Sequence, residues 1–306
     1  MNVSFGHLAI HAALVAAAPP LLLGVVNKTK AFFAGRVGPP LLQPYFDLVK
    51  LLRKGTVRSR TTTWIFLAGP AVALVTAILA SLLVPLGAHP APIAFDGDFV
   101  LFAYALALGR FFTIAAALDT GSSFEGLGGS REATFSCLAE PALFFGFLVL
   151  ARASLSYSLS GMLGASIADT WSASGAALAA VLASWLVVLL AENGRIPFDD
   201  PSTHLELTMI HEVMVLDHGG PLFAMIQYAA ALKLFVFGAL VLGIAAPLGG
   251  FDPWLAWPLF VAALLGLAVA IGVVESVLAR LRLSQVPSLL VAAGLMAAFG
   301  AILLSR

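Results

Sequence analysis

Apolar residues in this chain do not alternate with polar ones; they run in blocks. Eight blocks of about 20 residues carry almost nothing else, at about 8–26, 64–87, 98–118, 139–158, 174–192, 221–246, 254–276 and 285–304. A helix of that length crosses roughly 30 Å of hydrocarbon, and inside hydrocarbon only helices and closed barrels satisfy their own backbones. The pattern therefore predicts an all-α integral membrane protein: about eight transmembrane helices with cytoplasmic amphipathic helices, in a single polytopic domain over 1–306. Polar connectors at about 27–63, 119–138, 193–220 and 277–284 alternate with others at 88–97, 159–173 and 247–253. No basic residue precedes the first block and a basic segment follows it, so it reads as a retained span and not a removable leader.

Composition sharpens this picture. The chain is 60% apolar and 10% charged, against about 45–50% apolar for a soluble domain, and its mean hydropathy is +1.00. A lone Cys137 excludes internal disulfides and leaves no set of cysteines for an iron–sulfur cluster or structural zinc. Zero net charge gives no support for attraction to nucleic acid.

Basic residues set the orientation, because basic loops resist translocation. Residues 27–63 carry Lys28, Lys30, Arg36, Lys50, Arg53, Lys54, Arg58 and Arg60, and Arg131, Arg195, Arg280 and Arg282 fall in connectors on the same side. The opposite connectors carry none. The expectation is a bacterial-type inner (cytoplasmic) membrane protein with both termini outside. Within the first connector, Pro44 suits a helix start and Gly55 its end. Tyr45, Leu48, Val49 and Leu52 line one side of that helix, and Asp47, Lys50 and Lys54 the other, as for a helix lying on the membrane surface. It would serve as a lipid-facing anchor or as a docking surface for a soluble partner.

The most acidic connector contains AENGRIPFDDPSTHLELTMIHE, residues 191–212. Thr203 and Glu206 have capping-box spacing, which predicts a short helix with His204, Thr208, His211 and His218 in one stripe. The start of a zinc-protease motif at His211–Glu212 fails because Val215 stands where the second ligand would be, so no metal site is expected. The histidines then serve either as structural and solvated groups or in proton handling and partner contact, since imidazole titrates near neutral pH. The spans themselves hold Arg110, Glu140, Arg152, Glu192, Lys233 and Glu275. An ionised group at mid-bilayer costs roughly 2.5–3.5 kcal/mol on insertion scales, so these should face protein or water and pair. Glu140, Glu192 and Glu275 fall near the cytoplasmic surface, with Arg110 about 12 Å deeper at 1.5 Å per residue: a polar funnel.

GRVGPPLLQPYFDLVKLLRK (35–54) and AENGRIPFDDP (191–201) resemble two signatures of subunit 1 of respiratory complex I and its relatives. The continuation STHLELTMIHEVMVLDHGGP (202–221), with LDTGSSFEGLGGSREATFSCLAEPALF (118–144), is similar to the membrane-anchor subunit of formate hydrogenlyase and hydrogenase-4 complexes. The resemblance implies a subunit without a redox centre or catalytic site of its own, joining a hydrophilic arm to a membrane arm and coupling redox chemistry to proton or sodium movement. The implied partners are a hydrogenase-like large subunit, an iron–sulfur small subunit and antiporter-like membrane subunits. Iron–sulfur clusters, and NiFe where the large subunit holds it, would sit in those partners, with no cofactor bound by this chain. By motif, Arg36, Gly38, Pro39, Gln43, Asp47, Lys50, Arg195, Pro197, Phe198 and Pro201 would belong to docking. Glu140, Glu192, Asp199, Glu206, His211, Glu212, Glu275, Arg110 and Lys233 would form the coupling path. Complex I relatives carry more acids after the P-F-D-x-P signature, whereas STHLE supplies one Glu and one His; this departure argues against a quinone site. Two alternatives stand beside this reading: the quinone-chamber subunit 1 of an NADH:quinone oxidoreductase, and a stand-alone ion transporter using Glu140, Glu192 and Glu275. The absence of clear internal repeats weighs against the last.

Overall fold

The computed structural model describes residues 5–164, 167–199 and 209–304. Among them are α1 (Phe5–Phe33), α2 (Gln43–Leu52), α3 (Ile65–Leu83), α4 (Asp98–Asp119) and α5 (Ser123–Ser154). After these come α6 (Leu159–Met162), α7 (Ile167–Glu192), α8 (Gly220–Ala245), α9 (Pro253–Val277) and α10 (Val286–Leu303). Eight of these helices are long and apolar enough to span a bilayer, each over one of the predicted blocks.

Three predicted boundaries move. α1 continues through the start of the first connector to Phe33. The connector expected over 119–138 is helix from Ser123 onward, so α5 is 32 residues long. At 1.5 Å per residue its polar first half projects about 24 Å beyond the apolar block at 139. α7 starts at Ile167, but non-helical backbone at Ser174 (φ −141°, ψ 34°) breaks it where the apolar block begins.

A fourth expectation fails in part. Residues 201–208, including Pro201, Thr203, His204, Glu206 and Thr208, lie outside the described residues. Beyond them no α-helix continues: Met209 and Ile210 are non-helical, and only a 3₁₀ turn forms at Glu212–Val215. The cause is local. Asp199 Oδ2 accepts the backbone N–H groups of Ile210 (2.9 Å) and His211 (3.1 Å), giving this backbone a partner other than a helical carbonyl. The expected histidine stripe is thereby divided. His211 turns toward carboxylates, whereas His218 stacks on Phe66 of α3 (centroids 4.0 Å apart) and its Nε2 contacts the Phe66 carbonyl at 3.2 Å.

α8 is the central helix. Its apolar window is 78% buried, against 28–44% for the other spans, which keep a lipid-facing flank. Around it α1, α3, α7 and α9 pack through Val26, Ala80, Val181, Leu232, Phe235, Leu264 and their neighbours. Two glycines bring the charged connector against the bundle. A Cβ on Gly128 of α5 would lie 3.0 Å from the Ile210 carbonyl oxygen, and Gly194 has φ +55° with His211 Nδ1 2.6 Å from where its Cβ would be. Chain alternation gathers α2, the C-terminal ends of α1, α4, α7 and α9, and the N-terminal ends of α3, α5, α8 and α10 at one end of the bundle, here called inner. α6 and the 84–97 segment close the other, outer end.

Candidate functional site: an ion-paired chamber at the inner end

A cavity of about 540 Å³ opens at the inner end between α1, α2, α3, α4, α5, α8 and residues 193–199 and 211–215. Its polar wall is built on Arg110. The guanidinium Nη2 donates to both oxygens of Glu192 (2.7 Å each), and Nη1 donates to Glu140 Oε1 (2.7 Å). Nε lies 3.3 Å from Glu132 Oε1, near enough for attraction but not aligned as a hydrogen bond. Lys233 of α8 holds Glu192 Oε2 from the other side at 2.7 Å. One arginine thus ties α4 to three carboxylates on α5 and α7. Burying such charges is costly, and removing one partner leaves the rest uncompensated.

Two further pairs extend the network. Glu275 of α9, whose side chain is fully buried, lies 2.8 Å from Lys30 Nζ of α1 and 3.3 Å from Arg195 Nη1. Asp199 Oδ1 lies 3.2 Å from Arg280 Nη2, and the Leu281 N–H donates to the Pro197 carbonyl at 2.9 Å, which ties the connector to the segment after α9. His211 stands between the groups: Nε2 is 3.3 Å from Glu132 Oε2 and Nδ1 is 3.8 Å from Asp199 Oδ2. Burial alone would lower the His211 pKa, but Glu132 and Asp199 outweigh burial and the opposing Lys233, and the net shift is upward. Burial would raise the Asp199 carboxyl, but His211 and the two backbone donors hold it below its ordinary value. Among the described residues, Lys30, Arg110, Arg195, Lys233 and Arg280 face Glu132, Glu140, Glu192, Asp199 and Glu275, five against five. His211, within 3.8 Å of both Glu132 and Asp199, is the imidazole of this network.

The sequence-derived residues fall into three groups. Arg110, Glu140, Glu192, Asp199, His211, Lys233 and Glu275 are brought into this network; Glu212 lines the chamber on its 3₁₀ turn, and Glu206 lies outside the described residues. Arg36, Gly38, Pro39 and Lys50 are exposed at the inner end. The docking expectation needs correction for Arg195, Pro197 and Phe198: all three are buried. Arg195 pairs with Glu275, and Phe198 packs beside Ala139, Val286 and Leu290, so these two fix the connector to the bundle. Asp47 and Gln43 hydrogen-bond each other at 2.8 Å on α2, and Asp47 borders the chamber. Pro201 lies outside the described residues. Arg110 is not set apart below Glu140 and Glu192, as its helix depth suggested, but in direct contact with both. Sequence reasoning missed Glu132 as a partner of Arg110 and Lys30 as a partner of Glu275. Glu132 falls in a stretch whose composition predicts a connector; its signal was an acid eight residues before Glu140 in a segment able to continue α5.

A membrane-spanning α-helical bundle with a paired polar chamber at one end defines a class: integral membrane subunits that carry ionisable groups in protein-lined cavities. The NADH dehydrogenase family pattern matches residues 6–306, and the chain belongs to that family. It is 30% identical to formate hydrogenlyase subunit 4 of Escherichia coli K12 over 288 residues, 91% of each chain. It is 32% identical to hydrogenase-4 component C of the same organism, over 75% of this chain and 71% of that one. With an NADH-quinone oxidoreductase subunit of Syntrophotalea carbinolica it shares 28% identity, over 80% of this chain and 76% of that one. The fold matches a chain of the archaeal membrane-bound sulfane sulfur reductase, a respiratory membrane complex, with a TM-score of 0.80, 22% identity and 97% coverage of both chains.

Proposed function

We propose that this chain is the membrane subunit that seats a hydrogenase-like, iron–sulfur-containing hydrophilic arm on the membrane and couples its redox chemistry to proton or sodium movement. It binds no cofactor itself; iron–sulfur clusters, and NiFe where present, belong to the large and small subunits of the arm, with antiporter-like subunits beside it in the bilayer. The membrane is the cytoplasmic one, with both termini outside. The observation that carries the reading is the inner-end network itself: a charge arriving in an arm docked over α2 and the 193–215 connector acts on His211, and through Glu132 on Arg110 and its other two carboxylates. In a poorly solvated site such a change shifts proton occupancy strongly. Exposed apolar side chains at this end, Val37 (86%), Val57 (83%) and Phe32 (79%), supply the surface that an arm would cover.

Co-purification in mild detergent tests the seating. Reversing charge at exposed Arg36 and Lys50 should release the arm from membranes, and an arm that stays bound to the double variant overturns the docking surface. The size of the chamber favours a second reading, quinone binding, the substrate class in the name of the NADH-quinone oxidoreductase relative. About 540 Å³ with apolar walls from Pro20, Leu23, Phe223 and Ile226 lies within the range of ligand pockets. Labelling of those four residues by a photoreactive quinone decides for it.

A further inference from the structure

Half of the six histidines lie at the outer end, away from the chamber. His7 of α1 and His89 of the 84–97 segment have ring centroids 4.4 Å apart, and His89 stacks on Trp257 of α9 at 4.1 Å. Trp257 Nε1 donates to His7 Nδ1 at 3.1 Å, and His89 Nε2 contacts the Pro253 carbonyl at 2.9 Å. Tryptophans at this level are ordinary for a membrane interface. What that leaves unexplained is His11, one turn below His7 on α1, 2% exposed, with Nε2 3.0 Å from the Ser81 carbonyl of α3.

Below His11 the structure stays polar. Pro19 and Pro20 lie inside α1 and have no N–H for the carbonyls of Val15 and Ala16. Tyr228 of α8 fills the gap: its hydroxyl is shared between those two carbonyls, at 3.1 and 3.0 Å. The chamber reaches this level, since Pro20, Thr76, Ala77 and Gln227 line it. Ser81 is four residues beyond Ala77, about 6 Å along α3, so His11 sits about one helical turn above the chamber roof.

We propose that this chain carries its own proton exit: from the chamber past the Tyr228 hydroxyl and the proline-freed carbonyls to His11, and then through buried His89 and half-buried His7 to the outer surface. It rests on the coupling reading above and adds the route by which protons leave. The Ser81 carbonyl holds the His11 Nε2–H and cannot take its proton, so His11 takes up and gives back a proton at Nδ1, with no net change in its own count.

The test uses the whole complex purified through this chain, sealed in vesicles with a pH-sensitive dye on the side facing α6. It is driven by whichever of formate, hydrogen or NADH the same preparation oxidises. His11→Asn keeps a donor for the Ser81 carbonyl but cannot relay. It should leave electron transfer intact and lower the protons appearing at the outer face per electron pair, as should Tyr228→Phe. Full proton release in both variants overturns the exit. A His11→Asn complex that fails to assemble leaves the decision to His7→Gln at the rim, where unchanged release likewise overturns it. Glu192→Gln in the same vesicles separates the two levels. If coupling falls in Glu192→Gln but not in the histidine variants, the exit fails and the coupling reading stands; if no variant alters coupling, the coupling reading itself fails.

Discussion

At the inner end, charged side chains from six spans, the 193–215 connector and the segment after α9 surround an open chamber, and each carboxylate of the network has a cation within 3.3 Å. At the outer end the buried carboxylate has no such partner among the described residues. Asp98, fully buried at the start of α4, accepts the Leu159 N–H (2.7 Å) and the Ser158 hydroxyl (2.9 Å), and so fastens the 155–160 turn and α6 to the bundle. The difference is between ion pairs gathered around a cavity and a lone carboxylate used as a latch. Paired ions in a cavity respond to any new charge nearby, whereas a carboxylate satisfied by fixed backbone and hydroxyl donors holds a geometry.

Substitutions at the two ends break this comparison in different ways. The largest effect is expected for Arg110→Met, which leaves Glu132, Glu140 and Glu192 facing one another with Lys233 and His211 as the basic groups beside them. Breaking a buried pair by removing one partner costs about 3–5 kcal/mol. Thermal unfolding in detergent should show this as lost folded protein or a collapsed midpoint; wild-type stability would mean that the network is not formed. Next is Asp98→Ala, which orphans a backbone N–H and a hydroxyl at about 1–3 kcal/mol for a buried unsatisfied group. It should lower the unfolding midpoint and open the 155–160 turn to proteolysis while leaving coupling per assembled complex unchanged. Reduced coupling in that variant would erase the distinction between latch and network.

A smaller effect is expected for Tyr228→Phe, about 1 kcal/mol for one hydrogen bond to carbonyls already lacking helical partners, read as a modest midpoint shift. The smallest concerns pH. His211 has a raised folded-state pKa, so its contribution is fully present below the ordinary imidazole value of about 6.5 and is lost as pH rises through the raised value. Asp199 runs the other way: lowered in the fold, it contributes above the ordinary carboxyl value of about 3.9, and that contribution disappears as pH falls through its lowered value. The stability difference between wild type and His211→Gln should therefore shrink as pH is raised above neutrality. A difference that grows would reverse the sign assigned to the Glu132 contact.

Eight spans were legible because hydrophobic length is a cumulative signal that single residues do not spoil, and the ends of most spans lie close to where the apolar blocks stop. The polar half of α5 was not legible. Gly126, Gly128 and Gly129 with four Ser or Thr residues read as loop, and only tertiary packing, as of Gly128 against Ile210 and Met214, explains a small residue there. The intramembrane ionisable residues were found one by one because each is conspicuous in an apolar block. Their partners were not, since Lys30–Glu275 and Arg110–Glu192 join positions 245 and 82 residues apart that no periodicity relates. The buried placement of Arg195 and Phe198 shows the same limit: a charged motif in a connector looks exposed until the partners that bury it are known.

The account turns on Glu192, which Arg110 and Lys233 grip together. Its most direct test is the number of protons moved per electron pair by the purified complex in sealed vesicles, comparing wild type with Glu192→Gln. An assembled variant that keeps its electron-transfer rate but moves few or no protons is the predicted result. An assembled variant with an unchanged ratio would contradict the account.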